Sequence, residues 1–172
     1  MRGQWSIPAV KGADVRLRSG RIGLMSVDVA APVIEGAFAI DESGVIFTLT
    51  MALDELRTGN FIMQAAARTL VKGHRATRLV YRGQGSADGA APGLDQRSGG
   101  GPWLVSGLAQ AGDIKVELDL TVTQIGGTSD HLTEIEIIGS ASMGTVHLPL
   151  PGMGTVNDFA FDVEARLTVL PS

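Results

Sequence analysis

The sequence predicts an all-β protein, an antiparallel up-and-down β-barrel of about eight strands with one short helix. Three observations predict it: several segments alternate apolar and polar residues, most connections have the length of a hairpin turn, and a single stretch has helical character. Closing such a sheet into a barrel leaves no strand edge unpaired. At 172 residues the chain fits one domain that spans residues 1 to 172.

The first 44 residues are predicted to form a series of short strands and tight turns. Trp5 belongs to the first strand, and Gly36 is expected to mark a bend or a close approach of two backbones. In chain order, the predicted elements are a strand from Gln4 to Ile7, a hairpin of Asp14 to Arg18 with Arg21 to Val29 around Ser19-Gly20, a strand from Val33 to Asp41, and a turn at Glu42-Ser43-Gly44.

The stretch from Val45 to Leu70 has the clearest pattern in the chain. Apolar side chains occupy every second position, as a strand with one face on a core requires: Val45, Phe47, Leu49, Met51 and Leu53. The period then changes, and Phe61 to Leu70 is predicted to be a helix with Asn60 as its N-cap and Gly73 as its C-cap.

Strands are also predicted for most of the remaining chain. Residues 85 to 102 are rich in Gly, Ala, Ser, Asp and Pro and are expected to form a flexible surface loop. The other predicted elements are a strand from Ala76 to Gln84, a hairpin of Trp103 to Ala109 with Asp113 to Gln124, a strand from His131 to Ser142, an irregular rim from Met143 to Asn157, and a closing strand from Phe159 to Val169.

Composition excludes several classes of partner. A net charge of −4 argues against nucleic acid, and no apolar run approaches the roughly 20 residues of a membrane-spanning helix. The nearest approach to a basic cluster is read as a solvated surface, with an anionic head-group site as the alternative: Lys72, His74, Arg75, Arg78 and Arg82. Since Met1 to Pro8 lacks the apolar core of a secretion signal, a cytoplasmic location is expected, or a periplasmic or secreted one if this N-terminus is a processed form.

The sequence favours a protein that is not an enzyme and uses no metal or cofactor. There is no cysteine, and His74, His131 and His147 lack the spacing that places two metal ligands on one face. Asp54 and Glu55 are expected to be solvated or paired with Arg57 rather than catalytic.

What remains is a set of apolar side chains that would converge inside a barrel. At about eight strands the interior either fills with side chains or holds one small ligand, and the residues alone leave both possibilities open. The candidate ligand-binding residues are Phe38, Phe47, Leu49, Met51, Phe61, Met63, Leu118, Leu120, Ile135, Ile137, Phe159 and Phe161, and the candidate polar residues at the mouth are Asn60, Gln64, Arg68 and His147.

Several short motifs follow one another along the chain: Trp5 with Ile7, Gly36-Ala37-Phe38, the strand from Val45 to Leu53 that leads into Thr58-Gly59-Asn60, Val105-Ser106-Gly107-Leu108, Met143-Gly144 and Asn157-Asp158. In this order, they resemble the motifs of the YceI-like family. The resemblance implies a lipocalin-like barrel that binds a polyisoprenoid or another long-chain lipid. The expected function is therefore carriage or storage of an isoprenoid or acyl ligand. The alternative is a barrel with a filled core that acts as a protein-interaction module or homodimer.

Overall fold

A computed structural model of the chain describes residues 3–22, 25–59, 61–73, 75–86, 102–129, 132–147 and 154–172. Most of these residues lie in strands, and one helix, α1, follows the fifth strand. The elements are β1 (Gly3–Pro8), β2 (Asp14–Ile22), β3 (Met25–Ile40), β4 (Val45–Ala52), β5 (Arg57–Thr58), α1 (Phe61–Gly73), β6 (Arg78–Gly85), β7 (Trp103–Ala111), β8 (Ile114–Ser129), β9 (Leu132–Met143), β10 (Val146–His147), β11 (Thr155–Val156) and β12 (Phe159–Pro171).

Eight strands close into an antiparallel barrel, which confirms the predicted fold class. Going round the barrel, the order is β2, β3, β4, β6, β7, β8, β9 and β12. Strand β12 closes the ring because Ala165 is paired with Val15 of β2 on one side and with Ile137 of β9 on the other. The barrel therefore has a continuous wall, and residues that alternate along each strand point to its interior.

Strands β1 and β2 together fill the gap between β3 and β12. Strand β1 pairs with the last residues of both neighbours, including Phe38 and Pro171, which lie opposite Trp5. Strand β2 pairs with their earlier residues, such as Val29, which lies opposite Leu17. The two short strands thus lie end to end in one position of the barrel.

The predicted turn at Ser19-Gly20 is wrong. Strand β2 continues through it to Ile22, and its register with β3 shifts between Arg18 and Arg21. The Oγ atom of Ser19 accepts a hydrogen bond of 2.8 Å from the backbone N–H of Val27, so a side chain completes the pairing at this irregularity. The Ser-Gly pair therefore marks a bulge rather than a reversal.

The predicted break between Val29 and Val33 is also wrong. Strand β3 runs through Pro32 as one element of 16 residues. Proline has no N–H to donate, so within a sheet it is found at edges and irregularities. Here the register between β3 and β4 shifts between Val33 and Glu35, directly after Pro32.

The predicted alternation is confirmed in the main strands. The inward residues of β4, β8, β9 and β12 are buried, among them Val45, Phe47, Leu49, Met51, Leu118, Leu120, Val122, Ile135, Ile137, Val163, Leu167 and Val169. The turn after β3 is confirmed as well, since the Asp41 carboxylate accepts hydrogen bonds from the backbone N–H groups of Ser43 and Gly44 at 2.7 and 3.1 Å. The predicted loop lies largely outside the described residues, because nothing is described between Ser86 and Pro102.

Helix α1 is confirmed, but its C-terminal cap is not the predicted glycine. The left-handed residue after the helix is Arg75, with φ of 50°. The backbone N–H of Ala76 donates to the carbonyl of Val71, and that of Arg75 to the carbonyl of Lys72, each at 3.3 Å. This pair of bonds is the Schellman arrangement, which satisfies carbonyls that a helix end would otherwise leave unpaired.

Candidate functional site

Five aromatic side chains fill the end of the barrel at which β3 ends and β4 begins. We call this group the aromatic plug: Trp5, Phe38, Phe47, Tyr81 and Trp103. All five are buried, and Phe38 lies at the centre, with ring centroids 6.2 Å from Trp5, 5.9 Å from Phe47 and 5.4 Å from Trp103. Tilted and edge-on ring pairs at these distances add to the stabilisation that burial gives.

Tyr81 fixes the plug to the barrel wall. Its ring centroid lies 5.9 Å from that of Phe47, and its hydroxyl is within donating distance of the carbonyls of Val105 and Leu118, at 3.1 and 3.2 Å. Burial raises the pKa of the phenol, and the nearby charge of Asp119 raises it further. The hydroxyl is therefore held neutral as a hydrogen-bond donor.

Glycines at inward positions let neighbouring side chains reach across the middle of the barrel. A Cβ atom on Gly36 would lie 2.8 Å from Leu49 Cδ1, and one on Gly83 would lie 2.7 Å from Val105 Cγ1. Both distances are shorter than an ordinary carbon–carbon contact. The space that these glycines leave is thus occupied by their neighbours, and the wall is tightly packed next to the plug.

The interior is lined by smaller side chains towards the other end of the barrel. Alanines are buried there on three different strands or their flanks: Ala13, Ala31 and Ala165. Val15, Val33 and Met51 lie among them in the same core cluster. The side chains that line the interior here are therefore smaller than those of the plug.

Helix α1 covers this end with an apolar cluster of its own. Met63 and Ala66 are buried against Val27, Val146, Val156 and Phe159, and this cap cluster is separate from the main core cluster of the barrel. The ring of Phe159 lies 6.0 Å from that of Phe161, which packs against the main core. The two phenylalanines therefore stand at the junction of the cap and the barrel.

Gln64 fastens the start of α1 to the barrel. Its Oε1 atom accepts a hydrogen bond of 3.0 Å from the backbone N–H of Thr58, and its Nε2 atom donates to the carbonyl of Leu56. The predicted mouth residue Gln64 thus has a structural contact at each end of its amide. Arg68 and His147, which were also predicted at the mouth, are exposed on α1 and on β10.

The candidate ligand-binding residues fall into three groups. Phe38 and Phe47 belong to the plug, whereas Phe159 and Phe161 mark the junction with the cap. The others that the structure describes are buried in the wall or under the helix: Leu49, Met51, Met63, Leu118, Leu120, Ile135 and Ile137. Asn60 and the side chain of Phe61 lie outside the described residues. Their contact with a ligand stays a prediction.

The sequence reasoning did not include Trp5, Tyr81 or Trp103 among the interior residues of the candidate site. A signal was present for Trp103, since Trp103, Val105 and Gly107 alternate with the outward Leu104 and Ser106 in β7. Nothing local identifies Tyr81 as a partner of Phe47, because the pairing depends on the contact between β4 and β6.

The outer wall carries two shallow grooves. One of about 460 Å³ is lined by β7, β8, β9 and β12, and its exposed rim includes Leu104 and Ile138. A second of about 380 Å³ adjoins it and shares Ser140 and Asp162 with it. Both grooves open to the outside beside exposed residues such as Ser140 and Asp162, and the inward residues Leu120 and Phe161 also contribute to their linings.

The described residues contain no group of side chains that is placed to hold a metal ion. No three His, Asp or Glu side chains come together there as metal ligands would. The pKa of Asp41 is lowered, chiefly by the hydrogen bond from the Ser43 side chain, but this carboxylate lies in an exposed turn. Helix α1 is too short and too polar to count as a membrane span, and the described ranges contain no other candidate.

Comparison with known proteins adds no assignment: the chain matches no protein-family model, and no curated protein matches it.

Proposed function

We propose that this barrel binds the hydrocarbon part of an isoprenoid or acyl lipid between the aromatic plug and helix α1, and that it carries or stores that lipid. The observation on which the proposal depends is the division of the apolar interior into two clusters. The helix packs on a cap cluster of Met63 and Ala66, which meets the barrel core at the ring pair of Phe159 and Phe161. A chain of methylenes would insert between the two clusters beside this ring pair.

The contrast between the two ends supports one direction of entry. The plug fills one end with interlocked rings, whereas the walls under α1 are lined by Ala13, Ala31 and other small side chains. At its start the helix is held by the hydrogen-bonded amide of Gln64 and by the buried side chain of Met63. The lipid would enter beside α1, and the plug would limit how far its tail penetrates.

Burial alone provides enough free energy for this function. Each methylene removed from water contributes about 0.8 kcal/mol, so a chain of about fifteen carbons contributes about 12 kcal/mol. An association cost of about 4 kcal/mol, at the low end of the estimates, leaves about 8 kcal/mol, which corresponds to micromolar affinity. The head group would remain near the helix end, where Arg68 and His147 are exposed.

A size-increasing substitution tests the proposal directly. Ala31 is buried and points inward beneath the helix, whereas Ala160 is exposed on β12. We expect palmitate or a long-chain isoprenoid alcohol to give a complex in native mass spectrometry. At about 100 times its dissociation constant, the ligand should raise the melting temperature of the unsubstituted protein by about 5–10 °C. Ala31→Leu should abolish both effects with little change in the ligand-free melting temperature, and Ala160→Leu should preserve them.

Two results would contradict the proposal. One is the absence of any lipid complex or thermal shift with the unsubstituted protein. The other is a large loss of ligand-free stability in Ala31→Leu, about 1–3 kcal/mol, because that is the penalty for adding atoms to a core that is already full.

The outer groove favours a second candidate function, self-association or the binding of another protein. Leu104 and Ile138 are 56% and 53% exposed at its rim, which is unusual for large aliphatic residues that lie close together. Sedimentation analysis of Ile138→Lys tests this alternative, with Ile46→Lys as the control because Ile46 is also 56% exposed but lies on β4. Loss of an oligomer in the first variant alone would support the interface.

A further inference from the structure

The charges of this acidic chain are strongly segregated. The stretch from residue 56 to residue 86 contains six of the 14 lysines and arginines and none of the 18 acidic residues. The rest of the chain is therefore much more acidic than the net charge of −4 indicates. Segregation on this scale produces an electric field with a positive side and a negative side.

Five of these cations are exposed at the helix end of the barrel or on the adjoining strand β6. We call them the basic face: Arg68, Lys72, Arg75, Arg78 and Arg82. Arg68 and Lys72 are four residues apart on α1 and so lie on the same side of the helix. Arg75 follows the helix, and Arg78 begins β6.

The cations of the basic face form no ion pairs with acidic side chains among the described residues. The ion pairs among the described residues involve Arg18, Arg57 and Arg166, and none involves a member of this face. Along the chain the nearest acidic residue is Asp88, six residues after Arg82, and on the other side it is Glu55, 13 residues before Arg68. Glu55 is exposed in the turn after β4 and forms no ion pair with the basic face among the residues described. Across the sheet, Glu117 is two strands from Arg82, with Leu108 between them.

An exposed apolar residue accompanies these cations. Ile62, in the first turn of α1, is 39% exposed. Helices that lie at a membrane surface combine cations, which meet anionic head groups, with apolar side chains that enter the interface. Helix α1 carries both, with Ile62 six residues before Arg68.

We propose that the basic face docks the helix end of the barrel onto a bilayer that contains anionic lipids. The proposal rests on the proposed function, because docking would bring the entry beside α1 to the place where a lipid is collected or delivered. The acidic remainder of the chain orients the barrel, since it is repelled by the same surface. The acidic remainder of the chain also disfavours binding of a polyanion that would wrap around the protein, such as nucleic acid.

Vesicle flotation tests the docking. We expect the protein to bind vesicles of phosphatidylcholine mixed with phosphatidylglycerol but not vesicles of phosphatidylcholine alone. The binding should be lost between about 0.1 M and 1 M NaCl as the Debye length falls from about 10 Å to about 3 Å. Each cation that is neutralised at the surface should weaken partitioning about fivefold, so a triple substitution should weaken it about 100-fold.

Two triple variants with the same change in net charge locate the effect. Lys72→Gln, Arg78→Gln and Arg82→Gln together remove charge from the basic face, whereas Lys11→Gln, Arg16→Gln and Arg21→Gln remove it from exposed positions in or near β2. We expect the large loss of vesicle binding only in the first. Equal losses in both, no binding by the unsubstituted protein, or displacement from vesicles by a short DNA duplex would overturn the proposal.

Failure of docking is distinguishable from failure of the lipid-binding function. Ala31→Leu blocks the interior but leaves the basic face intact, so it should still float with anionic vesicles. Conversely, the basic-face triple variant should still form a complex with palmitate in native mass spectrometry. Vesicle binding without an interior ligand would support the docking surface alone.

Discussion

Removing the hydroxyl of Tyr81 should weaken the protein at neutral pH. The hydroxyl has one proton to share between the carbonyls of Val105 and Leu118, at 3.1 and 3.2 Å, so Tyr81→Phe loses one buried hydrogen bond. Such a bond contributes about 1 kcal/mol to the free energy of unfolding. For a domain of this size, the melting temperature should fall by about 2–4 °C.

The stability difference between the unsubstituted protein and Tyr81→Phe should shrink and then change sign in alkaline solution. The pKa of Tyr81 is raised in the folded state, so above about pH 10 the phenol ionises in the unfolded chain before it does so in the folded one. The stability that the protonated phenol contributes is complete below that pH and is lost as the pH rises towards the folded-state pKa. The loss is about 1.4 kcal/mol per pH unit, and therefore Tyr81→Phe should be as stable as the unsubstituted protein at about pH 11.

The assay is simple because Tyr81 is the only tyrosine in the chain. Urea unfolding at a series of pH values gives the two stability curves, and ultraviolet absorbance of the phenolate in the folded protein gives the titration itself. The reasoning would be refuted if the folded protein formed phenolate with a midpoint at about pH 10, the value for a solvated tyrosine. Parallel stability curves for the two proteins would refute it as well.

Three other predictions concern the plug, the wall and the helix cap, and all are measured by urea unfolding. Phe38→Ala should cost about 3–5 kcal/mol because it opens a cavity among rings, whereas Phe159→Ala, at a half-buried position, should cost about 1–2 kcal/mol. Equal costs would mean that the plug is no better packed than the cap. Gly83→Ala should cost about 1–3 kcal/mol, and Gly20→Ala, whose Cβ would meet nothing within 4 Å, should change stability by less than about 0.5 kcal/mol. Arg75→Gly should stabilise the protein by about 0.5–1 kcal/mol because φ is 50° there, and a loss of stability would show that the arginine side chain matters more than the backbone strain.

The strand faces were predictable because burial on one side of a strand imposes a period of two. Val45, Phe47 and Leu49 show this period, and all three are buried as expected. Strand ends were less predictable. Ser19-Gly20 has the composition of a turn, yet the chain continues through it because Ser19 accepts a hydrogen bond from Val27 and permits a bulge.

The grouping of the site residues could not be predicted from the sequence. Phe38 and Phe161 belong to the same alternating pattern, but one lies in the aromatic plug and the other at the junction with the cap. Which inward residues meet depends on strand register and on which end of the barrel each residue reaches. A single sequence specifies neither quantity locally, because Phe38 and Trp103 are far apart in the chain and meet only when the barrel is complete.

The closure of the barrel by β12 has a consequence for how the protein folds. Most strands in the ring lie next to the strand that follows them in the sequence. Strand β12 is different, because it must insert between β9 and the pair formed by β1 and β2. The residues of β1 and β2 lie at the opposite end of the sequence from β12. Contacts between distant parts of a chain form late because a large loop must close first. Until Phe159 to Pro171 has been synthesised and has paired, β2 and β9 are open edges that another molecule can occupy. Aggregation of nascent chains should therefore depend on the rate at which β12 inserts. A chaperone would have its greatest effect on this insertion step.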